Sequence, residues 1–452
     1  MPSFFRAFAS NVSSPSEFVS SYIVIGNGPI GASVAKHLMV ALAGKHSESS
    51  KQHEHTVAIV DGRPSGMGSS HSDRARLIRT FDAEGDIDWT NWNKRSLEAF
   101  PEIERLWNTK STSSRSRKSF FTKCGALLLG DEAFVARSKT AAEESMPSPS
   151  PPSPSFLQLS PIECQTKWPY LKPKAGCDVA LFDPLGGIID PLAFIKAQNH
   201  NANSTDSESN SNSNSNFQIF SNVAKRIQNG TVKLDSGEVL TATEKIIVCG
   251  GAYSESLLDH SGIRSASESS HRASKRTVAL LEVSERTVNG ILKDMPTIKY
   301  AFGLTAEPTE TATSGEHSRV EAGSVYILPP VCYPERGGKW YVKIGGGPND
   351  YFENGNGGDT KKLLDDWLAS EGDSSSAEWL GNIGTSLLSG IPFENPESMA
   401  CVTTTTFASK SNGVMVDDVL GDGSLIAVSA CQGKGAGPSD ALGADIVQRI
   451  LL

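Results

Sequence analysis

Short apolar runs alternate with long polar stretches along this chain. Runs such as "YIVIG" (22–26) and "KIIVCGG" (245–251) are rich in β-branched residues and predict strands. In "GASVAKHLMVALAG" (31–44) and "DALGADIVQRILL" (440–452) the apolar residues recur at helical spacing and predict helices. The mixture predicts an α/β or α+β fold, and no repeat of fixed period is visible.

Four polar segments interrupt this pattern. All are rich in Ser, Asn or Pro and poor in aliphatic residues; they are 141–155, 199–216, 261–276 and 371–378. Such composition buries too little apolar surface to join a core. We therefore predict that these segments are surface loop insertions and that residues 1–20 form a flexible N-terminal tail.

Composition argues against several classes of function. The 452 residues carry a formal net charge of −9, which argues against a nucleic-acid partner because phosphate binding needs a basic face. No apolar run is long enough to span a bilayer, so no membrane association is expected. The seven cysteines are scattered without C-x-x-C spacing, which suggests no disulfide framework, no metal site and a reducing compartment. A cytoplasmic location is expected, with an organelle as the alternative.

The first strong motif follows the first predicted strand. It has G-x-G-x-x-G spacing before a helix, and its candidate cofactor-binding residues are Gly26, Gly28, Pro29, Ile30 and Gly31. The glycines allow a tight turn and a close approach of backbone to a pyrophosphate at the helix N-terminus. The motif predicts a dinucleotide site.

A second predicted strand strengthens this interpretation. "HTVAIVD" (55–61) ends in Asp61, an acid placed to bind ribose hydroxyls. The acid comes later than usual because a polar insert at 45–55 lengthens the preceding connection. At this point both FAD and NAD remain possible cofactors.

The C-terminal end repeats the order of strand, glycine loop and helix. "SLIAVSA" (424–430) precedes a loop whose candidate cofactor-binding residues are Gly433, Lys434, Gly435 and Gly437. A second helix N-terminus directed at the cofactor can stabilise the negative charge of a reduced flavin. This arrangement favours FAD.

A basic run lies between these two ends. "SSHSDRARLIRTF" (69–81) places Arg74, Arg76 and Arg79 within six positions. A solvated surface run is the simplest interpretation of such a cluster.

Together these motifs resemble the amine-oxidising flavoenzymes related to D-amino-acid oxidase. The resemblance is to the branch of monomeric sarcosine oxidase, N-methyltryptophan oxidase, pipecolate oxidase and fructosyl-amino-acid oxidases, and it covers most of the chain outside the polar segments. Its specific points are "GNGPIGA", "GSSHSDRARLIRTFDAEG", "TKCGALLLG", "LGGIIDP", "KIIVCGGAYSESLL", "WYVKIGG", "ACVTT" and the C-terminal glycine loop.

The resemblance implies two interleaved domains. A Rossmann-like FAD-binding domain is expected at 21–115, 183–275 and 405–452. A substrate domain built on a large, mostly antiparallel sheet is expected at 116–182 and 276–404.

The resemblance also implies roles for individual residues. Arg76 is expected to pack against the isoalloxazine, and Arg79 to hold the substrate's carboxylate with its guanidinium fork. Lys343 in "WYVKIGG" is expected to promote the reaction of reduced flavin with oxygen. Cys401 in "ACVTT" is expected to form a thioether to the flavin, which makes FAD a covalent cofactor.

Three neighbouring positions have simpler expectations. Ser70 and His71 are expected to contact the cofactor, with plain packing as the alternative for His71. Arg74 is expected to face solvent or to form an ion pair.

The chain departs from this family at three places. Thr403 replaces an aromatic residue, Gly347 replaces a histidine, and Gly437 or a close neighbour replaces the loop lysine that shares the carboxylate with arginine. Lys434 lies in the same loop at a different spacing. The pocket is therefore expected to be roomier, suited to a bulkier amine or to a substrate without a carboxylate.

The expected function follows from the resemblance. It is the oxidation of a small-molecule secondary amine or N-substituted amino acid by a monomeric FAD enzyme. Hydride transfer to the flavin gives an imine that hydrolyses, and O2 is reduced to hydrogen peroxide. The alternatives are an FAD dehydrogenase with another electron acceptor and a flavin-binding protein without amine oxidase activity.

Overall fold

The computed structural model describes most of the chain. The described residues are 17–45, 55–63, 71–109, 117–145, 156–177, 179–206, 216–264, 271–302, 323–352, 360–406, 414–429 and 431–452. Within them no helix is long and apolar enough to cross a membrane.

The helices of the described ranges follow one another along the whole chain. They are α1 (Pro29–Lys45), α2 (Ile87–Trp107), α3 (Glu132–Glu144), α4 (Pro161–Lys167), α5 (Pro191–Asp206), α6 (Ser254–His260), α7 (Glu285–Asn289), α8 (Thr360–Leu368), α9 (Ser374–Leu387) and α10 (Ser439–Leu451). Side-chain caps fix several of the starts. Asp86 accepts a hydrogen bond from the backbone N–H of Trp89 at the start of α2, and Asp131 does the same from Phe134 in α3.

The strands of the described ranges form three sheets. They are β1 (Glu17–Ile25), β2 (Val57–Val60), β3 (Arg76–Ile78), β4 (Phe121–Thr122), β5 (Ala126–Gly130), β6 (Leu157–Leu159), β7 (Val179–Asp183), β8 (Gly187–Ile189), β9 (Phe217–Phe220), β10 (Ala224–Gln228), β11 (Thr231–Leu234), β12 (Val239–Val248), β13 (His271–Val283), β14 (Thr297–Phe302), β15 (Gly323–Tyr333), β16 (Lys339–Gly346), β17 (Asp350–Tyr351), β18 (Glu394–Thr406), β19 (Met415–Asp418) and β20 (Leu425–Ser429).

The first sheet, called here the nucleotide sheet, has the strand order β10-β11-β12-β1-β2-β9, with β20 beside β12 and β19 beside β20. Strands β1, β2, β9, β12 and β20 run parallel. Parallel strands are covered on both faces, which explains why every residue of β2 and β20 is buried. Helix α1 packs against α5 and α10 over this sheet.

The second sheet, called here the large sheet, has the order β17-β13-β16-β15-β14-β5-β7-β6, with β18 beside β13. Its described pairs are antiparallel except for β14 with β5. Apolar residues of this sheet and of α9 form an extended buried cluster.

A small third sheet has the order β3-β8-β4. Strand β8 follows β7 of the large sheet after a short turn and pairs antiparallel with β3. This pairing fixes the strand that carries Arg76. The predicted fold class, a Rossmann-like domain with a large and mostly antiparallel second sheet, is confirmed.

The prediction that the polar segments are loop insertions is wrong for parts of them. Residues 199–206 form the end of α5, where Ala202 is buried and Asn201 Nδ2 donates to the carbonyl of Ile103 at 3.1 Å. Residues 271–276 belong to β13 and pair with β18. Backbone and amide hydrogen bonds order these residues although few of them are apolar.

The same correction applies at three other boundaries. Residues 141–144 end α3, and residues 374–378 begin α9, which Asp373 caps through the N–H of Ser376. Residues 17–20 belong to β1, in register with residues 239–242, and are not part of a flexible tail. The remainder of these segments lies mostly outside the described residues.

Candidate functional site

A cavity of about 840 Å³ is lined by residues of all three sheets. It contains most of the predicted site residues that are described: Gly26, Gly28, Pro29, Ile30, Asp61, His71, Arg76, Arg79, Cys401, Gly433, Lys434, Gly435 and Gly437. Gly31 and Lys343 lie behind its lining, and Ser70 lies outside the described residues. The structure therefore brings these predicted residues together around one cavity.

Two glycines close the turn before α1. Gly26 has φ of +103°, and a Cβ there would lie 2.5 Å from the carbonyl oxygen of Cys249. A Cβ on Gly31 would lie 1.9 Å from the carbonyl oxygen of Gly26. A side chain at either position would force the turn open, so both glycines are required by the local geometry.

Gly28 has a different role. The nearest atom to a Cβ at Gly28 is Nδ1 of His71 at 3.6 Å, an ordinary contact. The chain itself therefore leaves room at Gly28, and the position faces the cavity at the start of α1. This is the place where a phosphate can approach the backbone closely.

The acid predicted to bind ribose lies at the end of β2. Asp61 Oδ2 accepts a hydrogen bond from Asn27 Nδ2 at 3.1 Å, and Oδ1 accepts one from the backbone N–H of Arg63, also at 3.1 Å. Asn27 Oδ1 is buried, and no described residue donates to it. The glycine cradle, the acid and this unsatisfied acceptor fit a dinucleotide at this end of the cavity.

A buried carboxylate organises the middle of the site. Asp73 Oδ2 accepts from Arg76 Nη1 at 2.5 Å and from the ammonium of Lys343, and Oδ1 accepts from Tyr333 Oη at 2.7 Å. The side chains of Asp73 and Lys343 are each 1% exposed. Asp73 was not predicted from the sequence, although it stands three residues before Arg76.

This ion cluster shifts the pKa values of its members. Burial would raise the pKa of Asp73, but Lys343 and Arg76 hold it well below its ordinary range. Burial and the charge of Arg76 lower the pKa of Lys343 to about 8, against the opposing effect of Asp73. Lys343 also donates to the carbonyl of Ala75 at 3.1 Å, and its Nζ lies 5.5 Å from the ring centroid of Tyr326.

Arg74 of the basic run does not line this cavity. Arg74 forms an ion pair with Glu335, Nη2 to Oε2 at 2.8 Å, and lies 3.9 Å from Asp190. This confirms the expected ion pair.

Burial, together with the charge of Arg76, lowers the pKa of His71 to about 4, so its ring is neutral at pH 7.

Cys401 lies on β18, directly opposite Arg276 of β13. The guanidinium of Arg276 donates to the carbonyls of Gly347 and Pro348, each at 2.7 Å, and Nε donates to Thr403 Oγ1 at 3.2 Å. Cys401 also interacts electrostatically with Arg76 and with Lys343. The cysteine therefore faces the cavity within a cationic surrounding.

The far end of the cavity holds three cations and two acids. Lys434 lies 3.0 Å from Asp82 Oδ1 and forms a second ion pair with Glu84. Arg79 donates from Nε to the carbonyl of Phe81 at 3.0 Å, and no described residue forms an ion pair with it. The third cation, Lys299 of β14, was not identified from the sequence.

The C-terminal glycine loop passes between β3 and β18. A Cβ on Gly433 would lie 2.9 Å from Thr403 Cγ2, and a Cβ on Gly437 would lie 3.1 Å from Ile78 Cβ. A Cβ on Gly435 would lie 3.1 Å from Ile30 Cδ1. The absence of side chains lets this loop approach the first glycine motif across the cavity.

Comparisons with known proteins agree with this architecture. The sequence profile of the DAO family, described as FAD dependent oxidoreductase, matches residues 21–449. No curated protein matches the chain in sequence at a significant level.

Solved structures share the fold at low sequence identity. L-proline dehydrogenase from P. horikoshii has a TM-score of 0.61 at 15% identity, covering 96% of this chain and 94% of its own. NikD, an unusual amino acid oxidase essential for nikkomycin biosynthesis, has 0.60 at 14%, covering 95% and 94%. The fructosyl amine:oxygen oxidoreductase Amadoriase I from Aspergillus fumigatus has 0.59 at 16%, covering 97% and 88%. These similarities show the fold alone.

Proposed function

The chain belongs to the family of FAD-dependent oxidoreductases, and on this premise we propose that it oxidises a C–N bond of a secondary amine or N-substituted amino acid. The observation that carries the proposal is the guanidinium of Arg79. It lines the same cavity as the nucleotide motif, and no described carboxylate forms an ion pair with it, although Asp82 and Glu84 interact with its charge. A cation fixed in this way can hold a substrate carboxylate and so orient the neighbouring C–N bond.

The residues at the nucleotide end fit FAD. Asp61 would bind the ribose, and the backbone around Gly28 with the N-terminus of α1 would hold the pyrophosphate. The second glycine loop would lie along the flavin. The chemistry that bound FAD would supply is a two-electron oxidation of the substrate, after which the electrons pass to an acceptor.

Arg76 and His71 shape the cofactor site through their orientation and charge. Arg76 is fixed by Asp73, so its guanidinium faces the cavity in one orientation. His71 stays neutral at pH 7 and adds no charge beside the cofactor site.

The imine product would hydrolyse in water to an amine and a carbonyl compound.

We propose oxygen as the electron acceptor. A fixed ammonium near the flavin can stabilise the negative charge that develops on oxygen, and Lys343 is the candidate. Amadoriase I, which shares the fold, is named an amine:oxygen oxidoreductase.

A second candidate is a dehydrogenase with another acceptor. Lys343 lies behind the cavity lining, and Asp73 balances its charge, which weakens its action on oxygen. L-proline dehydrogenase shares the fold as well.

One experiment tests the function and separates these candidates. The purified yellow protein is mixed without oxygen with a panel of N-methyl and cyclic amino acids, N-substituted amino acids and neutral secondary amines. Loss of the flavin absorbance near 450 nm would support C–N oxidation. Air is then admitted: rapid recovery of colour with one hydrogen peroxide per turnover supports the oxidase, whereas recovery only with an artificial dye supports the dehydrogenase. No bleaching by any amine would overturn the proposal.

We further propose that Cys401 binds the flavin covalently. Cys401 lines the cavity directly opposite Arg276, so its sulfur lies where a bound flavin could be reached. Bond formation would release the S–H hydrogen of Cys401 and one hydrogen of the flavin methyl group, and this two-electron oxidation would be balanced by oxygen through the redox chemistry that bound FAD supplies.

Acid denaturation tests this bond. Flavin absorbance should stay with the wild-type polypeptide after precipitation and leave with the Cys401→Ala variant. Cys124→Ala is a matched control, because that half-buried cysteine is outside the cavity lining. Release of all flavin from the wild type would overturn the covalent assignment.

A further inference from the structure

We propose that Lys299 of β14 is the second cation that binds the substrate's carboxylate, acting together with Arg79. The inference rests on the proposed function and narrows it to a substrate that carries a carboxylate. It places the second cation on the large sheet and not on the C-terminal glycine loop.

The lysine of the glycine loop is already neutralised. Lys434 Nζ lies 3.0 Å from Asp82 Oδ1 and forms another ion pair with Glu84. Burial would raise the pKa of Glu84, but the charges of Lys434 and Lys299 lower it to about 2. Both acids near Lys434 attract it, so a substrate anion would have to displace a carboxylate to reach it.

Lys299 has no such partner. It lines the cavity, and no described residue lies within hydrogen-bond or ion-pair distance of its ammonium. It stands opposite Tyr326 of β15 in the sheet register, and both side chains line the cavity. The register therefore directs the ammonium toward the space where a substrate would bind.

The pKa of Lys299 reflects its burial and the charges around its ammonium. Burial lowers the pKa of Lys299 to about 8, and the charges of Arg79 and Lys434 lower it too, against Glu84 and Asp82. Arg79 and Lys299 line the same cavity and repel each other, and neither forms a direct ion pair with Asp82 or Glu84. A carboxylate between Arg79 and Lys299 would satisfy both, with the guanidinium fork taking two oxygens and the ammonium adding a third contact.

Ligand titration tests this assignment on the holoenzyme. Benzoate is titrated into the protein, binding is followed by the perturbed flavin spectrum, and benzamide serves as the neutral probe. Lys299→Met should raise the Kd of benzoate about tenfold or more, because a charge-assisted hydrogen bond is lost. The Kd of benzamide should not change. Lys299→Arg should retain benzoate binding, and Lys293→Met, on an exposed site before β14, is the control.

A pH series gives an independent readout. Benzoate binding by the wild type should weaken as pH rises above about 8, where Lys299 loses its proton. This limb should move to higher pH in Lys299→Arg, in which Asp82, Glu84, Arg79 and Lys434 are unchanged. A limb that stays near pH 8 in that variant would assign it to Lys343, whose pKa is also about 8, and would overturn the inference.

The outcomes separate this inference from the proposed function. Equal benzoate affinity in Lys299→Met and Lys293→Met overturns the inference. If Arg79→Met alone abolishes benzoate binding while amines still bleach the flavin, the proposed function stands without Lys299. If no amine bleaches the flavin, the function itself fails.

Discussion

The carboxylate of Asp73 is the buried counter-ion of Lys343. Both side chains are 1% exposed, and the pair joins the segment before β3 to β16 of the large sheet behind the cavity lining. A buried ion pair of this kind contributes little compared with apolar packing, but breaking it leaves an unpaired charge. The predicted oxygen lysine is therefore held by a residue that the sequence analysis did not identify.

We predict that Asp73→Asn strongly destabilises the protein. Lys343 and Arg76 would keep their charges without a counter-ion, and removal of one partner from a buried pair costs about 3–5 kcal/mol. Urea unfolding followed by tryptophan fluorescence measures the loss. Glu335→Gln, which breaks the partly exposed pair with Arg74, should cost at most about 1 kcal/mol and is the control.

Equal effects of these two variants would contradict the importance of the buried pair. Tyr333→Phe gives a graded test, because it removes one hydrogen bond of 2.7 Å to Asp73 and keeps the ion pair. Because the acceptor is charged, its expected cost is about 1.5–3 kcal/mol.

We predict that His71 contributes to the loss of stability in acid. Burial and Arg76 lower its pKa to about 4 in the folded protein, whereas an unfolded chain protonates histidine near pH 6.5. Between these values the unfolded state binds more protons, so stability falls as pH decreases from about 6.5 to about 4. The group's contribution is intact above this window.

The difference between two melting curves isolates this effect. The Tm of wild type and of His71→Gln should converge as pH falls through that window, because the variant has no proton to gain. The same substitution at the exposed His260 is the control. A constant Tm difference between wild type and His71→Gln would contradict the prediction.

The sequence predicted the parts of the site that are local in the chain. The turn around Gly26 and Gly31 needs only a few adjacent residues, and its spacing alone predicts the strand, turn and helix. Asp61 could be placed because it ends the next parallel strand. The wrong loop predictions at 199–206 and 271–276 arose where hydrogen bonds, and not apolar residues, order the backbone.

The parts that were missed depend on distant pairings. Asp73 is separated from Lys343 by 270 positions, so no local pattern shows that their charges meet. Lys299 is a single lysine within an apolar strand, and such a residue usually reaches solvent. Only the register of β14 with β15 shows that it faces the cavity.

We predict that Arg79→Met weakens the use of substrates that carry a carboxylate. The kcat/KM for the best such substrate should fall about 10- to 100-fold, since charged hydrogen bonds contribute about 1.5–3 kcal/mol. A neutral amine of similar size should lose little. Steady-state kinetics on the matched pair measures this, with Arg79→Lys expected to recover part of the activity because it restores charge but not the fork. Equal losses on both substrates would show that Arg79 does not bind the carboxylate.

Two alanine substitutions in the first glycine motif should separate folding from cofactor binding. Gly31→Ala would place a Cβ 1.9 Å from the carbonyl oxygen of Gly26, so the turn must open even in the cofactor-free protein. Gly28→Ala meets only His71 Nδ1 at 3.6 Å and should leave the cofactor-free protein as stable as the wild type. The added methyl group would instead occupy the space through which the pyrophosphate approaches the backbone.

We therefore expect Gly31→Ala to lower both the Tm of the cofactor-free protein and its FAD content, and Gly28→Ala to lower FAD content alone. Thermal melting of the cofactor-free protein, prepared in the Cys401→Ala background, and the ratio of absorbance at 450 and 280 nm measure the two quantities. Gly381→Ala in α9, where the nearest atom is 3.8 Å away, should keep full FAD content and gain up to about 1 kcal/mol from helix propensity. If Gly28→Ala instead lost stability without FAD, the position would be required by the fold, and the proposed phosphate contact at Gly28 would be wrong.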